Sequence, residues 1–331
     1  MRILKILFSL VCLYTFTAKA DHSKTLTIYT YDSFISEWGP GPIIKKIFED
    51  KFNSHLKFVA VDSAASLLTK IILEGASTKA DIVLGLDMNL IDEARKSELF
   101  IEHSLEYLNN NINLPIDWKS KYFIPYNYGY FAFVYNNKKF SNPPKSMEEL
   151  INITDARIVI QDPRTSTPGL GLLTWIKAIY GDDAFNKWKK LNKKIVSVTK
   201  GWTDAYYNVF MTGEADMVLS YTTSPAAHIM FESNYDFSAI TFDEGNYISI
   251  EFGGIIKSSK NKSLAKKFMS FMISEDFQSV IPSTNIMYPV IKINDLPEAY
   301  NSIEIPKAIQ TDPITINKNK KLWIEEWLNA S

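Results

Sequence analysis

Gln161-Asp-Pro-Arg-Thr-Ser-Thr-Pro-Gly-Leu-Gly171 is the stretch on which the reading of this chain turns. Before it, Arg157 to Ile160 is a short apolar run of strand character. After it, Leu172, Leu173, Trp175, Ile176 and Ile179 recur at helical spacing up to Gly181. It is a strand-to-helix junction. Thr165, Ser166 and Thr167 stand where the helix N-cap falls, and Pro168 suits the first turn. Unpaired N–H groups and the helix dipole favour a polar or anionic guest there, although capping alone is the commoner use of Ser or Thr before Pro.

Working outward, the same arrangement recurs. Ala215 to Ser220 runs through Tyr221-Thr-Thr-Ser-Pro225 into a helical pattern over 226–232. Ile195 to Val198 runs through Thr199-Lys-Gly-Trp202 into 203–211, and Asp81 to Leu84 through Gly85-Leu-Asp87 into 89–98. In open α/β sheets, ligands bind outside the carboxyl ends of the strands. Strand-like and helix-like segments alternate from Asp21 onward (26–31, 43–52, 56–61, 66–73), which predicts an α/β fold with mainly parallel sheets. Tyr128 to Tyr135 and Asn246 to Phe252 are extended runs that carry the chain across and back. The expected division is a first lobe of residues 21–127 plus 249–331 and a second of 128–248, hinged about a ligand cleft. Ser146-Met-Glu-Glu149 reads as a capping box, and 320–328 as an amphipathic helix that packs Trp323 and Trp327 into the core.

The N-terminus has the pattern of an export signal over residues 1–20. Arg2 and Lys5 precede the apolar run Ile6 to Phe16, too short to span a bilayer, and Ala18-Lys-Ala20 offers a cleavage site. The single cysteine, Cys12, lies within it, so a processed chain has no thiol, and disulfide frameworks, zinc–thiolate sites and cysteine nucleophiles are excluded. Processing leaves 33 basic residues against 37 acidic ones, a net charge of about −4. That balance does not suit a nucleic-acid surface.

Catalytic signatures are missing. Gly169 and Gly171 lack the third glycine of a dinucleotide fingerprint, no Walker A or nucleophile-elbow pattern occurs, and His22, His55, His103 and His228 show no metal-ligand spacing. No catalytic residue, metal ligand or cofactor is assigned. Tyr31, Trp38, Trp202, Tyr221 and Tyr288 fall at strand ends or Gly/Pro turns, positions suited to holding a flat or cationic guest by ring faces. Asp62 and Asp87, each directly after a strand, are candidates to neutralise a positive charge or accept from an amino group; Asp87 equally suits the role of a helix cap.

Tyr29-Thr-Tyr-Asp-Ser-Phe34 with Trp38-Gly-Pro-Gly-Pro42, Ala80 to Asp87, Tyr128 to Tyr135, Gln161 to Gly171, Thr199 to Trp202, Leu219 to Ala226 and Met287-Tyr-Pro289 together resemble the periplasmic thiamine-binding proteins, solute receptors of thiamine ABC transporters. The resemblance runs through nearly the whole processed chain. It implies a type II periplasmic binding-protein fold that carries thiamine, or its mono- and diphosphate, to a membrane permease driven by a separate ATPase, and that acts as a monomer. It places Ser166 and Thr167 at the hydroxyethyl or phosphate end of the ligand. Trp202 and Tyr221, Thr222, Thr223 and Ser224 would line the rest, with Tyr31, Asp62, Ser63 and Ala64 completing the wall. The chain departs from the family pattern at Ser63, where an acidic residue is usual, at Ala227, where a tyrosine is, and at Ile286, where a tryptophan is. Two other readings compete: a ferric-ion receptor of the same fold using Tyr206 and Tyr207, and a thiaminase-like enzyme, which would need a cysteine.

Overall fold

The computed structural model describes residues 24–105, 107 and 111–330; the expected export signal and Cys12 lie outside the described residues. Three parallel strands, β1 (Thr25–Tyr31), β2 (His55–Val61) and β3 (Ile82–Asp87), form one flank in the order β2-β1-β3. Next in the chain come β4 (Phe123–Asn136), β5 (Ile158–Gln161), β6 (Ile195–Thr199), β7 (Met217–Tyr221), β8 (Phe237–Ala239) and β9 (Asn246–Ile255). The main path through the sheet is β2-β1-β3-β9-β4-β7-β5-β6, with β5, β6 and β7 parallel on the second flank.

The expectation of mainly parallel pairing holds on both flanks and fails between them. β9 runs antiparallel to β3 and to β4, and β4 antiparallel to β7. A parallel neighbour has to be reached through a crossover in the same sheet, whereas β4 and β9 pass between flanks and are free of that constraint. β4 serves both flanks: Phe123 to Tyr130 pair with β9, and Phe131 to Tyr135 with β7. Both faces of this strand are covered, which accounts for its nearly unbroken apolar and aromatic sequence.

The helix of the opening stretch, Thr167–Tyr180, starts at the end of β5. A Cβ on Gly169 would lie 2.4 Å from the Gln161 carbonyl oxygen, and one on Gly171 2.0 Å from the Phe131 ring. These glycines let the helix lie against the strands, where any side chain would push it away. The expected capping box is half realised: Ser146 Oγ accepts from the Glu149 N–H at 3.1 Å, but the Glu149 carboxylate accepts from the Lys145 N–H, not that of Ser146. The segment after Trp202, expected as an α-helix, is a π-helix over Asp204–Phe210, with the Met211 N–H donating to the Tyr206 carbonyl. Apolar spacing cannot separate these two ladders over two turns.

The last helix is longer than expected, Pro313–Asn329, and touches both flanks. Lys320 pairs with Glu93 and Asn317 donates to the buried Asp92 on one side. On the other, Lys177 pairs with Glu326 and the buried Trp327 meets Trp188 edge-on at 6.4 Å. Trp323 is partly buried against the same core.

Candidate ligand-binding site

A cavity of about 680 Å³ opens where the carboxyl ends of β1, β2, β6 and β7 converge. Among the residues expected from sequence, Tyr31, Asp62, Ser63, Ala64, Ser166, Thr167, Trp202, Tyr221 and Ser224 line it. Thr222 and Thr223 do not. The chain leaves β7 and turns directly into the helix Ser224–Glu232, which tucks both threonines beneath its first turn, 2% and 0% exposed. The Thr222 N–H is spent on the Tyr130 carbonyl, and the Thr223 carbonyl accepts from the Ala226 N–H. Tyr288 is likewise a core residue, stacked on Tyr128 at 5.2 Å. Asp87 sits behind the wall, accepting from the Asn89 N–H at 2.8 Å and from Thr167 Oγ1 at 2.9 Å. Burial pushes its carboxyl upward, and those two bonds oppose the shift.

Each wall has a local cause. Gly85 holds φ +99°, and a Cβ there would come within 2.4 Å of the Tyr31 ring, so the bend in β3 makes room for that ring. Ser63 Oγ caps the helix Ala64–Glu74 by accepting from the Ser66 N–H. Trp202 stacks on Tyr206 with centroids 4.9 Å apart and donates from Nε1 to Ser220 Oγ at 2.7 Å. Ser220 and Ser224 share a hydroxyl–hydroxyl bond of 2.7 Å, and Ser224 Oγ accepts from the Tyr221 N–H, so Ser224 fixes the strand end as well as lining the cavity. Behind Trp202, Tyr206 Oη bonds His228 Nε2 at 2.9 Å and His228 Nδ1 bonds Glu232 at 3.0 Å. Ile286, also in the wall, has φ +53°, a strained conformation for a β-branched residue.

The electrostatics are one-sided. Asp32, Asp62, Asp204, Glu232 and Glu251 line the cavity, and Lys200, the one Lys or Arg among the lining residues, is paired with Asp62 across it. Burial pushes the Asp32 carboxyl upward, and the neighbouring charge of Asp62 adds to that. Glu251, on β9, is 8% exposed; its Oε2 accepts from Tyr126 Oη at 2.6 Å, Asn127 Nδ2 at 2.7 Å and Tyr31 Oη at 2.9 Å. Burial raises its carboxyl and the three donors work against that rise.

The bacterial extracellular solute-binding protein family model matches residues 77–311. A thiamine-binding periplasmic protein of Brucella suis is 47% identical over 100% of this chain and 99% of its own. The chain belongs to the periplasmic thiamine-binding proteins. A solved periplasmic thiamin binding protein superposes with a TM-score of 0.90 at 46% identity, covering 93% of this chain and 96% of that one. A ferric binding protein from Campylobacter jejuni superposes with a TM-score of 0.78 at 23% identity, covering 92% and 99%, a likeness of fold alone. The family model and the thiamine-binding relatives make the chain a solute receptor of the periplasm with a two-lobed α/β fold.

Residue-level sequence reasoning passed over Glu251, Tyr126, Asn127 and the His228–Glu232 pair. A signal for Glu251 was available: it is a lone charge in the apolar run Tyr247 to Phe252, where an unpartnered carboxylate is too costly to keep. Asn285 had none, since it reaches the cavity from the end of the short distant helix Ile281–Thr284, whereas Phe231 lies on the helix Ser224–Glu232 that follows the β7 junction.

Proposed function

We propose that this protein is a periplasmic receptor that binds thiamine in the cleft and hands it to the permease of an ABC importer driven by a separate ATPase. The observation that carries the reading is the character of the cavity. Tyr31, Trp38, Trp202, Tyr207, Tyr221 and Phe231 present rings, and five carboxylates outnumber a single lysine. A flat organic cation gains from both, through ring faces worth about 0.5–2 kcal/mol each and through a negative field that concentrates cations in the cleft. Residues 21–127 plus 249–331 and 128–248 act as the two lobes, with β4 and β9 between them, and close on the ligand. Asp62 takes the place of the acidic residue the family carries at position 63. Thiamine mono- and diphosphate enter the same cleft, with their phosphates toward Ser166 and Thr167, and the receptor works as a monomer.

No reaction accompanies binding, because the thiol that a thiaminase-like mechanism needs is confined to Cys12 in the export signal. The ferric reading is weaker, since it needs Tyr206 as a phenolate. That hydroxyl is buried and bonded to His228, and burial drives its ionisation far upward. Native mass spectrometry of protein freshly purified from the periplasm tests the reading. A mass increment equal to thiamine or one of its phosphates is expected; an increment of one iron, or a different organic mass, would refute it.

A further inference from the structure

Three hydrogen-bond donors converge on one oxygen of a buried carboxylate in the cavity wall, and the other oxygen is left over. Tyr31, Tyr126 and Asn127 all bond Glu251 Oε2, while Oε1 has no hydrogen-bond partner among the described residues. The side chain cannot turn away, because β9 is an interior strand bonded on both edges and the three donors grip the head. Anchoring Tyr31 and Tyr126 would need only an acceptor. A carboxylate held this way offers an additional acceptor to whatever occupies the cavity.

We propose that Glu251 is a ligand-recognising residue whose free oxygen accepts a hydrogen bond from the exocyclic amino group of an aminopyrimidine. The inference rests on the reading of the cleft as a thiamine site. An amino group on an electron-poor ring is a strong donor and pairs well with a buried anion. It also supplies a specificity that rings alone cannot, since stacking scarcely distinguishes an amino from an oxo substituent. A site built to bond an N–H rejects the analogue that lacks it, because its buried acceptor is then left unpaired.

Glu251→Gln makes the idea sharply testable. The three donors demand an acceptor, so the amide oxygen takes their position and the amide nitrogen faces the cavity. The group that meets the ligand changes from acceptor to donor, which opposes an amino group and suits a carbonyl. The probes are thiamine and oxythiamine, identical except that the 4-amino group of the pyrimidine is replaced by oxo, titrated calorimetrically into the purified periplasmic protein. The wild-type protein is expected to prefer thiamine by about tenfold or more, as for a hydrogen bond to a charged group. In Glu251→Gln that preference should collapse or invert. The wild-type comparison stands even if the variant does not fold: equal affinity for the two ligands overturns the inference while leaving thiamine binding intact. So does a folded variant that weakens both ligands by the same factor, which would make Glu251 an internal anchor only. Binding of neither ligand by the wild-type protein instead removes the thiamine reading, and this inference with it.

Discussion

Replacing Trp202 separates the ring from its hydrogen bond. The indole stands half-buried in the cavity wall, stacked on Tyr206 at 4.9 Å with an interplanar angle of 30°, and is fixed by the 2.7 Å bond to Ser220. Trp202→Ala removes both the face offered to the ligand and the cover over Tyr206. An aromatic anchor of this kind is worth about 1–3 kcal/mol, or roughly five- to 140-fold in Kd. Trp202→Phe keeps a face but not the N–H. Ser220 retains its bond with Ser224, so no buried hydroxyl is stranded, and only about 0.5–1.5 kcal/mol is lost. Isothermal titration with thiamine should therefore rank wild type tightest, Phe intermediate and Ala weakest, with thermal melts confirming that both variants fold. Wild-type affinity in the Ala variant would refute the placement of Trp202 against the ligand. A Phe variant as weak as Ala would mean that the ring's position, set by the N–H, matters more than the ring face.

Gly85→Ala should destabilise the fold by roughly 1–3 kcal/mol, from strain at φ +99° and the collision with Tyr31, and should weaken ligand binding; a urea melt with wild-type midpoint would contradict this. Ile286→Trp introduces the tryptophan that the family resemblance implies at this place and should tighten thiamine binding by about 0.5–1.5 kcal/mol, while unchanged or weaker affinity would show that the strained turn aims the new ring elsewhere. Acid sensitivity should centre in part on Asp92. Burial pushes its carboxyl up, but bonds from Lys96, Asn317 and Arg95 prevail and hold it at about 2. A depressed carboxylate adds stability that is complete above its unfolded value of about 4 and is lost as the pH falls toward 2. Asp92→Asn should remove that part of the pH dependence and loosen the C-terminal helix; identical acid melts of variant and wild type would count against it.

The junctions were readable because each carries its own punctuation. A short apolar run, a hydroxyl cluster and a Pro or Gly fix a strand-to-helix turn locally, so Ser166, Thr167, Trp202, Tyr221 and Ser224 could be nominated without tertiary information. Thr222 and Thr223 lie under the helix and not in the cavity wall, and a run of hydroxyls does not reveal which members turn inward once the helix begins. The antiparallel middle of the sheet was hidden for a different reason: pairing direction depends on where the chain goes, and the compositions of β4 and β9 are the same either way. The C-terminal helix shows the same limit, since its amphipathic pattern predicts burial of Trp327 but not that Trp188, on the far flank, would meet it or that Lys177 would pair with its neighbour Glu326. The cluster around Glu251 joins residues 31, 126, 127 and 251, and only the fold brings these together.

The acidic, ring-lined cleft is expected to hold thiamine itself. Calorimetric titration of the processed protein with thiamine, thiamine monophosphate and thiamine diphosphate, followed in parallel by indole fluorescence, tests it most directly. Saturable one-to-one binding of thiamine with a change in emission from Trp202 is the predicted result; no heat and no fluorescence change with any of the three would contradict it.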